Sequence, residues 1–124
     1  MEVGDEKEDA EYLLEKILNL RIFEDEAGKM NSSLMDLSYE MLVVSQFTLL
    51  ADCRKGRRPS FVLAEKPDKA RKLYHYFISK GLEKTDRIST GEFQAMMKIK
   101  LLNSGPVTII LDSKNTFKMG KEND

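Results

Sequence analysis

Apolar and polar positions alternate along this chain with two different periods. Over residues 9–20, Leu13, Leu14, Ile17 and Leu18 recur at helical spacing with Glu and Lys between them, which predicts an amphipathic helix. Ile22-Phe23 then runs into a turn at Glu24-Asp25-Glu26-Ala27-Gly28. Residues 41–48 open with the continuous apolar run Met41-Leu42-Val43-Val44, read as a strand covered on both faces. Pro67 suits the first position of a second helix, in which Ala70, Leu73 and Phe77 share a face and Gly81 supplies the stop. Two further β-rich stretches, 95–102 and 107–111, are joined by a turn at Asn103-Ser104-Gly105-Pro106. Helix, strand, helix, strands is the order of an α/β layered domain occupying residues 1–113. The charged stretch 114–124 has little to bury and is expected to be a disordered tail.

Composition narrows the class. The chain has 124 residues, enough for one core and not for two. No run approaches the ~18 consecutive apolar residues of a membrane helix, so no membrane partner is expected. The single Cys53 cannot form an internal disulfide and fits a reducing, cytoplasmic setting. No cluster of Cys and His has metal-ligand spacing, and neither a metal nor a cofactor is expected. Net charge is −1, yet it is segregated: Glu2, Asp5, Glu6, Glu8, Asp9 and Glu11 crowd the start, while Arg54, Lys55, Arg57 and Arg58 form a basic cluster. Such a local patch on a neutral body suits contact with one end of an RNA; taken in isolation it reads first as a solvated charged loop.

Two short words carry the chemistry. Ser45-Gln46-Phe47-Thr48-Leu49-Leu50 closes the apolar run of 41–44, and Asn103-Ser104-Gly105-Pro106-Val107-Thr108 precedes the last β-rich stretch, with Lys55-Gly56-Arg57-Arg58-Pro59-Ser60-Phe61 between them. In this order they resemble the paired signature of the D-aminoacyl-tRNA deacylases of the standard bacterial and eukaryotic type, enzymes that hydrolyse D-amino acids mischarged onto tRNA. The resemblance implies a mixed β-sheet layered with two helices in three layers, a symmetric homodimer, a tRNA substrate and no cofactor. It covers residues 4–113. Family members begin with further strands, and Met1 falls where the third of these would be ending, so the N-terminal strands are expected to be missing.

An aminoacyl ester beside a ribose hydroxyl is easily hydrolysed, so the enzyme need only hold the carbonyl, stabilise the oxyanion and admit water. That low demand matches what the chain lacks: its one histidine, His75, is far in sequence from both words, and no nucleophile–base set can be assembled. By resemblance, backbone N–H groups at Phe47 and Thr48 meet the oxyanion while Ser45 and Gln46 shape the pocket. Thr48 as a covalent nucleophile is the alternative, although it lacks a visible base. A nucleic-acid-binding module of the same fold without turnover is another. Gly105-Pro106, followed by Thr108, implies a cis dipeptide reaching into the partner's site to exclude L side chains, and acceptance of glycine, which has no Cβ to clash. Gly91-Glu92-Phe93-Gln94-Ala95-Met96-Met97 resembles the segment that receives the terminal adenosine, with Phe93 and Met97 as its contacts; the family usually has glycine where Gln94 stands. Cys53 is read as a partly buried structural thiol, and Phe93 reads equally as core.

Overall fold

In the computed structural model, residues 1–105 and 107–114 are described. Two helices lying against each other organise them. Helix α1 (Lys7–Asn19) starts where the Asp9 carboxylate accepts the Glu6 N–H at 2.8 Å, and it buries Ala10, Leu14 and Leu18 at four-residue intervals. A hairpin follows. Strands β1 (Phe23–Glu24) and β2 (Met30–Ser32) pair antiparallel around a turn that Asp25 ties together, its carboxylate accepting the N–H groups of Ala27 (2.9 Å) and Lys29 (3.0 Å). Gly28 sits there at φ +74°.

Helix α2 (Leu34–Leu37) is a single turn that the apolar periodicity does not announce. It is built by a reciprocal cap: Ser33 Oγ accepts the Asp36 N–H at 3.0 Å while the Asp36 carboxylate accepts the Ser33 N–H at 2.9 Å. Helix α3 (Pro67–Leu82) begins with Pro67 in its first turn and buries Ala70, Leu73, Tyr74 and Gly81. Gly81 does not stop it. A Cβ at Gly81 would lie 2.6 Å from Ile88 Cδ1 and 3.4 Å from Leu14 Cδ1, so the missing side chain lets α1, α3 and the following strand close on one another. Leu14, Leu18 and Leu34 form the core, with Phe23, Met35, Met41 and Phe77 packed around it.

Strand β3 (Met41–Val43) pairs in parallel with β4 (Ile88–Thr90), in the register Met41 to Ile88, Leu42 to Ser89 and Val43 to Thr90. The connection between them carries α3, as a parallel pair requires. The architecture is mixed α/β, as expected, and the described residues hold three α-helices and two separate two-stranded sheets where two helices on one mixed sheet were expected. The strand expected over 41–48 is cut short at Val43, because Phe47–Leu50 turns into a 3₁₀ helix. It is not covered on both faces either: Leu42 is exposed. The strands expected at 95–102 and 107–111 are absent from the described residues. Strand geometry needs a neighbour to take its N–H and C=O groups, and none of the described strands lies beside these stretches.

Lys114 folds back onto the start of the chain, its Nζ 2.8 Å from Asp5 Oδ1 and 3.7 Å from Glu2 Oε2. The rest of the charged tail, 115–124, lies outside the described residues. Among the described residues no helix is long and apolar enough to cross a membrane, and no group of three or more His, Cys, Asp or Glu side chains is placed to hold a metal.

Candidate active site

The C-terminal ends of the parallel pair β3 and β4 launch two of the three segments singled out in the sequence. Val44 and Ser45 leave β3, and Gly91 to Met97 leave β4. In open α/β sheets the carboxyl ends of parallel strands are where ligands gather, because backbone and side chains diverge there and leave a crevice. Here the two exits are stitched together. The Gly91 N–H donates to Val43 O at 2.8 Å, and the Tyr74 hydroxyl lies 2.9 Å from Gly91 O and 3.2 Å from Val43 O. Tyr74 is buried on α3, and burial pushes its phenol up against the opposing pull of the Thr90 hydrogen bond. It stays a neutral donor.

Ser45 is half-buried, whereas Gln46, Phe47 and Thr48 face solvent. The Gln46 amide donates to Thr48 Oγ1. That contact occupies an acceptor position on the hydroxyl and takes no proton from it, and no base bonds Thr48 among the described residues. The N–H groups of Phe47 and Thr48 open the 3₁₀ turn Phe47–Leu50, and opening N–H groups have no acceptor within their own turn. Phe47 itself is 58 % exposed, with its ring edge-on to Phe61 at 5.2 Å.

Phe93 and Met97 are both half-buried on the other side of the exit. A Cβ at Gly91 would come 2.7 Å from Met97 Sδ and 3.6 Å from Val44 Cγ1, so Met97 folds over Gly91 beside the chain leading into the first word. The Phe93 ring lies 5.7 Å from Tyr74 and carries the Arg71 guanidinium 5.4 Å from its centroid. Arg71 also donates to Gln94 Oε1 at 2.6 Å. Gln94 holds φ +63°, a left-handed conformation in which a glycine is more at ease. The departure from the family's glycine is therefore accommodated with the backbone in the geometry that glycine favours, and Arg71 tethers the longer side chain.

The described residues of the second word make no contact with this site that the structure shows. Gly105 (φ +97°) has nothing within 4 Å of the position a Cβ would take, and Thr108 is exposed. Pro106, and with it the expected cis bond, lies outside the described residues. His75 is exposed on α3, its ring beside Tyr74 rather than against either word. Cys53 is exposed rather than partly buried, since it stands on a loop projecting from the Asp52–Ser60 bridge. Sequence reasoning missed Tyr74 and Arg71. Their signal was present: Tyr74 follows Ala70 by four residues on the buried face, and Arg71 precedes it by three.

The first word thus ends in an exposed polar turn, the segment 91–97 leaves the same end of the strand pair, and no base bonds Thr48 among the described residues. The comparisons with known proteins supply the class. The model of the D-Tyr-tRNA(Tyr) deacylase family matches residues 1–112, and the chain belongs to that family. A D-aminoacyl-tRNA deacylase of Syntrophus aciditrophicus (strain SB) is 62% identical over 117 residues, which are 94% of this chain and 78% of the relative. Its counterpart in Thermosipho melanesiensis (strain DSM 12029 / CIP 104789 / BI429) is 57% identical over 115 residues, 92% of this chain and 77% of the relative. A solved structure of the c-Myc DNA Unwinding Element Binding Protein superposes with a TM-score of 0.81 at 41% identity, covering 88% of this chain and 74% of its own. The activity is that of a D-aminoacyl-tRNA deacylase, a hydrolase of ester bonds with a tRNA substrate.

Proposed function

We propose that the chain is a chiral proofreader of the cytoplasm, hydrolysing D-aminoacyl-tRNA and glycyl-tRNA while sparing L-aminoacyl-tRNA, and that it works as a homodimer. The observation that carries this reading is the convergence of Ser45–Thr48 and Phe93–Met97 on one end of the β3/β4 pair. The terminal adenosine stacks on Phe93 and contacts Met97, which brings the ester carbonyl to the N–H groups of Phe47 and Thr48. Ser45 and Gln46 shape the pocket by hydrogen bonding. Water attacks the carbonyl with help from the ribose 2′-hydroxyl; the tetrahedral oxyanion collapses, the bond to the 3′-oxygen breaks, and that oxygen takes up the proton released by the water. Gly105 and Pro106 of a second copy, with Thr108 behind them, fence the side-chain pocket so that an L side chain collides with backbone. Exposed Met96, Leu101, Leu102 and Ile110 beside this word are the apolar surface a second copy would cover.

Deacylation of matched D- and L-tyrosyl-tRNA tests the reading. The D ester should be hydrolysed and the L ester left nearly untouched, with glycyl-tRNA also cleaved. Equal rates on both enantiomers would end the proofreading assignment. The second reading is a nucleic-acid-binding module without turnover, favoured by the solved neighbour, whose name speaks of DNA binding. It predicts retention of tRNA with no release of amino acid.

A further inference from the structure

We propose that the loop 52–60 is an electropositive clamp for the phosphates of the tRNA acceptor end; this rests on the deacylase reading above. The loop is a closed structure. Asp52 and Ser60 exchange two backbone hydrogen bonds, N–H to O at 2.8 Å and 2.9 Å, so that everything between them projects as one turn. Gly56, at φ +64° with open space around it, lets the chain reverse at the tip. Within the turn stand Arg54, Lys55, Arg57 and Arg58 and no acidic residue.

Their charges are not equivalent. Arg54 is spoken for: its Nε and Nη2 reach the Asp52 carboxylate at 2.9 Å and 2.7 Å, and its N–H adds a third bond at 3.1 Å. Lys55, Arg57 and Arg58 are exposed and make no ion pair or hydrogen bond among the described residues. Some cations elsewhere are balanced by carboxylates, Lys69 by Glu6 and Glu65, Lys80 by Glu83, and Lys114 by Glu2 and Asp5. On a chain of net charge −1, this turn places three exposed cations within four residues, none with an ion-pair partner among the described residues.

That place is fixed relative to the candidate active site. Phe61, the residue after the bridge, meets Phe47 of the first word edge-on at 5.2 Å. A polyanion held by the loop therefore lies next to the turn that receives the ester. Three free cations on a fixed turn fit the phosphate spine of an RNA end, which is recognised by charge and shape and independently of sequence.

The test compares a whole substrate with its reacting end. Lys55→Ala, Arg57→Ala and Arg58→Ala are combined in one variant and assayed with D-tyrosyl-tRNA and with D-tyrosyl-adenosine, and its binding of uncharged tRNA is titrated against salt. KM for the tRNA ester should rise roughly tenfold or more at moderate salt, with kcat held and turnover of the adenosine ester spared. The slope of log affinity on log salt should shrink by about 2–3. Asp52→Asn, which frees Arg54, should instead tighten tRNA binding and steepen that slope. An unchanged tRNA KM and slope would overturn the clamp, as would an equal loss on both esters or binding of phosphatidylserine vesicles as tight as that of tRNA. Equal rates of the wild-type chain on D- and L-tyrosyl-tRNA would overturn the proofreading reading alone, and the salt titration with tRNA still decides the clamp.

Discussion

Helix α1 and the segment 95–111 are both rich in large apolar residues, and they end in opposite environments. In α1, Leu14 and Leu18 keep 2 % and 0 % of their surface; in the later segment, Leu101 and Leu102 keep 73 % and 92 %. The helix closes its own hydrogen bonds, so its apolar stripe is free to find another helix, and α3 supplies it. The later segment has strand character, and a strand cannot satisfy its backbone alone. Apolar content therefore says that a segment needs burial. Whether it obtains burial within the chain depends on where its hydrogen-bond partners are.

The sharpest way to break the comparison is to remove the same side chain from both regions. Leu18→Ala should cost about 2–5 kcal/mol, because it leaves a cavity in the core. Leu102→Ala should stay within about 0.5 kcal/mol in dilute solution of the isolated chain. Denaturant unfolding of the two variants reads both; a comparable loss at Leu102 would mean that the segment is packed after all.

A middle-sized effect sits at the boundary between the two regions. Tyr74→Phe removes the hydroxyl that bonds Gly91 O and Val43 O, and should cost about 1 kcal/mol. Amide exchange should quicken over 91–97 and not along α1. Uniform quickening would show that Tyr74 is simply core.

The smallest effect concerns charge. The Tyr76 hydroxyl donates to Glu11 across the two helices, which pushes its phenol from 10.0 up to about 12. A raised acid favours the folded state fully below pH 10; the advantage is lost as pH rises through 12, when the folded phenol ionises as well. The stability difference between wild type and Tyr76→Phe should therefore be present at neutral pH and vanish over that alkaline window. Phenolate absorbance should show a tyrosine titrating near pH 12 in the wild type that Tyr76→Phe lacks.

Helices were legible because their signals are local. Residues 9–20 and the start at Pro67 were read within two residues of α1 and α3, and Glu24 to Gly28 marked the hairpin. The start of β3 at Met41 was legible too, but β4 at Ile88–Thr90 was not, since it is three residues long and declares itself only through its register with β3. The one-turn helix α2 was written as Ser33-x-x-Asp36, a capping signature without an apolar stripe behind it. For the site, the first word and Phe93–Met97 were found as separate motifs; that they share one strand end is a fact of topology. Tyr74 and Arg71, which hold that end, sit in a helix whose pattern announces packing and says nothing of chemistry.

The return of Lys114 to Asp5 and Glu2 has a consequence for polymer reach. Gln94 is held by Arg71 and Lys114 by Asp5 and Glu2, so the chain between them is tied at both ends. Its roughly twenty residues could span about 65 Å if fully extended, whereas ties at both ends limit how far those ends separate. Part of the loop-closure entropy has thus been removed before anything docks on this segment. A surface that meets it orders a tethered loop, which costs less than ordering a free end of the same length.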